Sequence, residues 1–225
     1  MKTSDDGYIS FFPDNHKYRD SSGREYLSVT TALKRFFPFD QKSIAEKVSN
    51  DPSSIYYGIN ANTIVSQWDK TSPCGTALHS ACERWITTGV IEDGEHREGA
   101  RNFAEFFDNK RRTLKSEKIV YDKDLMIAGT LDCLEATEDG YGLWDIKSCR
   151  KIDITKLLEF SMQIELYRRF AESNTGTQVC TRGIIWFENY FTNRNVLPCF
   201  IQTLECSKEV NDLIHQRKTE LSVHE

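Results

Sequence analysis

The chain of 225 residues lacks any long apolar run. Nothing in it approaches the roughly 20 consecutive apolar residues of a membrane-spanning helix. Its first residues, Met1-Lys2-Thr3-Ser4-Asp5-Asp6, are polar and acidic where a secretory signal would be apolar. The expectation is a soluble, intracellular protein with no membrane partner. A Cys-x-x-Cys pair is also missing. The seven cysteines (Cys74, Cys82, Cys133, Cys149, Cys180, Cys199 and Cys206) are odd in number and scattered. That spacing argues against a zinc ribbon or a disulfide framework and for reduced, buried thiols. No Gly-rich loop ending in Gly-Lys-Ser/Thr is present, so nucleotide-driven motor activity is not encoded. There are no repeats and no low-complexity segments. Positive charge is not in excess either: 29 Lys and Arg face 34 Asp and Glu, for a net charge of -5. Taken alone, this speaks against a nucleic-acid partner, because phosphate contacts want cations. Net charge is a poor guide to a local surface, however, and basic groups cluster at Lys110-Arg111-Arg112, Arg150-Lys151 and Arg168-Arg169.

What is present suits a folded domain: 39% hydrophobic and 28% charged residues. Residues 8–12 and 26–30 read as the strands of a β-hairpin around the turn cluster Asp20-Ser21-Ser22-Gly23. A short helix over 31–37 follows, then one capped by Asp40 and running to about Val48. Residues 50–74 are mixed, with a short helix near 64–68. Ser72-Pro73 opens a stronger helix to about Thr88, with proline in its first turn. Phe103, Phe106, Phe107 and Leu114 predict a helix over 100–115. The pattern then turns to strands over 118–121, 125–136 and 141–148, the last two joined by Glu138-Asp139-Gly140. A helix over 155–173, strands over 179–187 and 196–204, and a helix from about Ser207 complete the chain. The fold class is therefore α/β, a central mixed sheet flanked by helices behind a helical N-terminal region carrying a hairpin. Residues 1–72 would form that elaboration and 73–225 the core, in one compact unit.

The chemically informative segment is Gly129-Thr130-Leu131-Asp132, followed by Gly142-Leu143-Trp144-Asp145-Ile146-Lys147-Ser148. Side chains alternate along a strand, so Asp145 and Lys147 share one face while Ile146 points into a core. Hairpin pairing brings Asp132 beside Asp145. Two carboxylates near one ammonium repel one another unless one is protonated or a cation intervenes. A divalent metal resolves that conflict, and Mg2+ binds through one or two carboxylates with water and phosphate. An exposed Asp–Lys strand pair is common, so this spacing alone is not specific. On the following helix, Gln163 and Tyr167 are four apart and share a face. On the preceding helix, Gly75-Thr76-Ala77-Leu78-His79 ends in a histidine, with Glu83 one turn on.

The ordered series Gly75-Thr76-x-x-His79, Gly129-x-x-Asp132, Asp145-Ile146-Lys147 and Gln163-x-x-x-Tyr167 resembles the RecB-type branch of the PD-(D/E)XK nucleases. The branch includes the mitochondrial genome-maintenance exonuclease. The likeness runs over residues 75–167. The hairpin and Ser28-Val29-Thr30-Thr31 are similar to stand-alone nucleases of phages and large viruses. The resemblance implies a restriction-endonuclease-like core and a metal-dependent deoxyribonuclease, an exonuclease on single-stranded or end-containing DNA in replication, recombination or repair. It implies Mg2+ or Mn2+ held by Asp132, Asp145 and the Ile146 backbone carbonyl, with His79 at the metal. Lys147 would orient water, and Gln163 and Tyr167 would position the lysine and the DNA backbone. Glu83 and Glu117 are outer carboxylates or merely solvated. Family members with a four-cysteine iron–sulfur clasp group their cysteines closely at the C-terminus; Cys180, Cys199 and Cys206 do not, so no cluster is expected. Lys110, Arg111, Arg112, Arg150, Lys151, Arg168 and Arg169 are candidates for holding the DNA backbone. Two rival readings stay open: a non-catalytic DNA-binding protein on a nuclease fold, and a nuclease acting on RNA.

Overall fold

The computed structural model describes residues 1–223. Its strands form one mixed sheet flanked by helices. Strands β1 (Lys2–Thr3), β2 (Ile9–Phe12), β3 (Lys17–Asp20) and β4 (Glu25–Ser28) follow one another antiparallel. The hairpin expected over 8–30 is thus a meander with an extra strand. Residues 17–20 read as polar because only Tyr18 and Asp20 turn inward. The Asp20 carboxylate builds the second turn, accepting from the N–H groups of Ser22 and Arg24 and from Arg24 Nε. Thr30 was expected in the return strand. It lies instead in α1 (Val29–Leu33), because Ser28 Oγ caps that helix by accepting from the Thr31 N–H at 3.0 Å.

Helix α2 (Gln41–Asn50) starts at the expected cap, Asp40, which accepts from the Ser43 N–H. Two further expectations change. A single 28-residue helix, α3 (Ala61–Thr88), replaces the two pieces anticipated near 64–68 and from Pro73. Proline within a helix removes one backbone hydrogen bond. Burial of Ile64 on one side, and of Cys74, Leu78, Cys82 and Trp85 on the other, carries the helix through it. The proposed division at 72/73 therefore falls inside one rod. Helix α4 (Arg97–Phe106) stops well short of residue 115. Asp108 and Asn109 follow it at φ of 48° and 57°, and Leu114 already opens strand β5 (Leu114–Asp122).

Strands β6 (Ile127–Thr137) and β7 (Gly140–Lys147) are antiparallel. Helix α5 (Ile154–Thr175) then returns the chain to β8 (Val179–Trp186), parallel to β7. Strand β9 (Cys199–Gln202) is shorter than expected, and α6 (Ser207–Ser222) follows. Among the described residues no helix is long and apolar enough to cross a membrane. The seven cysteines carry free thiols, four of them buried and Cys180 and Cys199 exposed.

One feature of the sheet positions the site. Strand β5 follows one edge of β6 from Ile127 to Glu135. The other edge is shared: β4 pairs in parallel with Ile127 and Ala128, and β7 pairs from Cys133 onward. Between them, Gly129 to Asp132 face no strand on that edge. The chain also turns over here. Leu131 is buried in the core beneath α5, whereas Cys133 is buried beneath α3 and α4. Residues two apart in a regular strand share a face, so the crossing is centred on Asp132. Lys118 pairs with Leu131 and Ser116 with Cys133, leaving Glu117 across from Asp132 at φ of 53°. A non-glycine residue at positive φ is uncommon and marks local constraint.

Candidate active site

The C-terminal end of β7 presents Asp145 and Lys147 toward α5, while Ile146 is buried on the α3 side. The alternation expected from the sequence holds. Lys147 Nζ stands 2.6 Å from Asp145 Oδ2, 3.2 Å from Gln163 Oε1 and 4.6 Å from the centre of the Phe160 ring. The contact with Asp145 is a close, largely buried ion pair, and Lys147 is the one polar partner of Asp145 Oδ2 among the described residues. Gln163 Nε2 donates to Asp145 Oδ1 at 3.4 Å and to the Tyr167 hydroxyl at 3.2 Å.

Asp132 arrives from β6 and fills the gap in the sheet. Its Oδ2 accepts from the Ile146 N–H at 2.8 Å, standing in for the strand that β7 has lost there. The N–H and C=O of one strand residue point to the same side, so the Ile146 carbonyl also faces the gap. Asp132 Oδ1 lies 3.2 Å from His79 Nδ1 on α3.

Two glycines allow these elements to meet. A Cβ on Gly75 would stand 2.8 Å from Ser148 Oγ, so a bare helix face lets α3 approach the end of β7. A Cβ on Gly129 would stand 2.4 Å from Tyr167 Cε1. Trp186 Nε1 donates to the Cys149 carbonyl at 2.8 Å and fixes the chain just beyond Lys147. All six side chains singled out in the sequence (His79, Asp132, Asp145, Lys147, Gln163 and Tyr167) are therefore in one connected cluster.

The charges of this cluster determine one another. Burial opposes ionisation of Asp132, but His79, Lys147 and the Ile146 N–H outweigh it and hold its pKa below the ordinary range. Burial lowers His79, and Asp132 more than restores it, leaving the imidazole raised. Asp145 is different. Burial and the neighbouring Asp132 charge push it up to about 6 despite Lys147. Burial alone would lower Lys147, but Asp145 and Asp132 keep it raised. Asp145 is therefore the carboxylate of this cluster whose ionisation is least favoured.

Among the described residues, no three His, Cys, Asp or Glu side chains ring a single metal-sized position. His79 and Asp132 engage each other, and Asp145 engages Lys147. The donor set nevertheless fits a hard divalent cation, which favours carboxylate and carbonyl oxygens. Asp145 Oδ2 is buried with Lys147 as its one polar partner among the described residues, and Asp132 and the Ile146 carbonyl flank the same gap.

The basic candidates divide. Arg168 pairs with Glu165 and Glu172, and Arg169 with Glu165 and Asn211. Arg182 joins them on Glu165, making a buried structural cluster. Arg111 donates to the Ile86 and Thr87 carbonyls at the end of α3. Lys110 pairs with Asp108. Arg112, Arg150 and Lys151 are exposed. Glu83 and Glu117 are bridged by Lys2, at 2.8 and 3.1 Å. Burial raises Glu117, with Glu83 and Asp132 adding to the rise against Lys2.

Phe160 also faces the cluster, and the charges of Lys156 and Lys34, together with Lys147, partly offset the burial of Glu159. A signal existed for two of them. Lys156, Phe160, Gln163 and Tyr167 are spaced four, three and four apart, which is one face of a helix.

No family model matches the chain, and no curated protein matches it. Among solved structures the chain is similar to the crystal structure of SSO0001. Identity is 11%, over 86% of this chain and 75% of that one, with a TM-score of 0.41.

Proposed function

We propose that this chain is a divalent-metal-dependent nuclease of the PD-(D/E)XK type, RecB-like, that hydrolyses DNA phosphodiester bonds. The observation that carries the reading is the buried Asp145 Oδ2. That carboxylate lies with Asp132 at a gap in the sheet, and burial and the Asp132 charge push its pKa up to about 6 even with Lys147 Nζ 2.6 Å away. A structure keeps such a group idle only at a cost. Asp132, Asp145 and the Ile146 carbonyl, with His79 adjoining, would hold Mg2+ or Mn2+. When bound, such an ion supplies a water of lowered pKa and a positive field for the phosphate. Lys147 then aligns the attacking water and stabilises charge developing on the phosphate. Gln163 holds Lys147 through its Oε1 and is itself held by Tyr167, so the ammonium does not wander. Asp132 fixes His79 and the peptide of Ile146, tying α3 to the two strands.

The substrate in this reading is DNA with a free end, as the resemblance implies. Further support comes from the N-terminal segments around α2 and the start of α3, which present Phe39 and Tyr57 with 63% and 59% of their surface exposed. Unpaired bases stack on aromatic side chains of this kind. The test is incubation with end-labelled single-stranded DNA, duplex DNA and RNA of one sequence, in Mg2+, Mn2+, Ca2+ or chelator. A covalently closed single-stranded circle is included beside the linear form. The expected result is metal-dependent loss of linear single strands with survival of the circle. Binding without cleavage in every metal would replace the enzyme with a binding protein. Equal cutting of circle and linear strand would remove the requirement for an end.

A further inference from the structure

We propose that Phe160 is a positioning residue for Lys147, giving the ammonium a seat that does not depend on Asp145. This rests on the nuclease reading above for its catalytic consequence, but not for its geometry.

Three close contacts surround Lys147 Nζ among the described residues. Asp145 Oδ2 lies at 2.6 Å, Gln163 Oε1 at 3.2 Å, and the centroid of the Phe160 ring at 4.6 Å. A cation within about 6 Å of an aromatic face is attracted by the ring quadrupole, more strongly where water is excluded. The side chain of Lys147 is only 18% exposed, so the attraction acts in a largely desolvated setting. The three neighbours differ in what else they do. Asp145 is also a candidate metal ligand, and once its oxygens are engaged elsewhere its hold on Lys147 weakens. Gln163 and Phe160 have no such competing duty. They sit three residues apart on α5, so the same helix carries both and moves both together. Gln163 supplies direction through a hydrogen bond; the ring supplies a wall and an electrostatic attraction without a formal charge. A carboxylate in its place would bind Lys147 more tightly but would also compete for a cation in the site. A ring holds the ammonium while leaving its N–H groups free for water or phosphate.

The test uses the full chain and three variants: Phe160→Leu, which keeps bulk and removes the π face, Phe160→Tyr, which keeps the face, and Asp145→Asn. The first readout needs no activity. In metal-free protein the Lys147 ε-methylene protons should be shifted upfield by the ring current. That shift should persist in Asp145→Asn and Phe160→Tyr and vanish in Phe160→Leu. The second readout is cleavage. Phe160→Leu should lower kcat roughly 2- to 30-fold, the range of one cation–π contact, with KM nearly unchanged. Phe160→Tyr should restore it. An unshifted ε-methylene in the wild type overturns the proposal, as does loss of the shift in Asp145→Asn. Equal losses of kcat in Phe160→Leu and Phe160→Tyr, or none in Phe160→Leu, overturn it as well. If the wild-type protein cleaves nothing, the nuclease reading falls, and the chemical shifts alone decide whether the seat exists.

Discussion

Substituting Gly129 with alanine should damage the site from a distance, and its sign is opposite to the ordinary expectation. Glycine inside a strand loses more conformational freedom on folding than alanine, so Gly→Ala normally stabilises by roughly 0.5–1 kcal/mol. Gly129 does not have a positive φ, so backbone strain is no obstacle. The obstacle is space. The new Cβ would lie 2.4 Å from Tyr167 Cε1 and 3.1 Å from both Cζ and the hydroxyl oxygen. Carbon atoms settle at about 3.5–4.0 Å, so ring and strand must separate by roughly 1 Å or more. Tyr167 is 4% exposed and packed in the core beneath α5, so it has little room to retreat. Overpacking of this kind costs about 1–3 kcal/mol. For a chain of this length that is a fall in Tm of roughly 2–12 °C.

The same displacement breaks the 3.2 Å bond between Tyr167 and Gln163, and Gln163 is what holds Lys147. Misplacement of about 1 Å at a catalytic group can cost on the order of 100-fold in rate. The assay is thermal unfolding and single-turnover cleavage of Gly129→Ala, Tyr167→Leu and the double variant. Tyr167→Leu removes the ring that clashes, so the double variant should be more stable than the sum of the two losses by about 1–2 kcal/mol. A Gly129→Ala protein with unchanged or raised Tm would refute the reasoning, as would strict additivity in the double variant.

Three further predictions concern charge. Glu165, 2% exposed and gripped by Arg168, Arg169 and Arg182, is held down to about 2 against the opposing effect of burial. Its stabilisation is therefore full above the unfolded carboxylate range and is lost as pH falls through about 2; Glu165→Gln should lower stability by up to about 3 kcal/mol at pH 7 and by roughly half of that at pH 3, read from urea midpoints. Asp145, pushed up to about 6, carries a proton below that pH, so calorimetric Mn2+ affinity should drop as pH falls from 7 to 5 and proton release should accompany binding. A pH-independent affinity would remove Asp145 from the metal. Lys147→Ala should lower cleavage by roughly 10²–10³-fold while leaving Mn2+ affinity nearly intact; equal loss of both would make the lysine structural.

Local periodicity carried a good part of this architecture and of the candidate site. Alternation along a strand put Asp145 and Lys147 on one side and Ile146 on the other, and helical spacing put Gln163 beside Tyr167. Asp40 capped the helix it was expected to cap. What local pattern does not encode is which distant segment completes a sheet. Parallel pairing of β4 with β6 joins residues 27 and 127, and no short window of sequence contains both. The gap between β4 and β7 follows from that pairing, and with it the use of Asp132 as a partner for the Ile146 N–H. The same limit hid Lys2, whose ammonium bridges Glu83 and Glu117 from the far end of the chain. Proline misled in the other direction. Pro73 reads as the start of a helix, but buried residues on both sides of it carry one helix through that position. Phe160 was within reach, since its spacing from Gln163 is helical, but as an apolar residue on a core helix it carried no sign of chemistry.

If Asp145, with Asp132, forms the metal centre of a nuclease, removing its charge alone must abolish cleavage. Asp145→Asn, purified beside the wild type and checked for a native near-ultraviolet spectrum, is incubated with end-labelled single-stranded DNA in Mn2+ or Mg2+. The variant keeps the shape of the side chain and removes its charge. Metal-dependent cleavage by the wild type and none detectable by the folded variant are the expected results. Cleavage by Asp145→Asn at a rate near that of the wild type would contradict that role for Asp145.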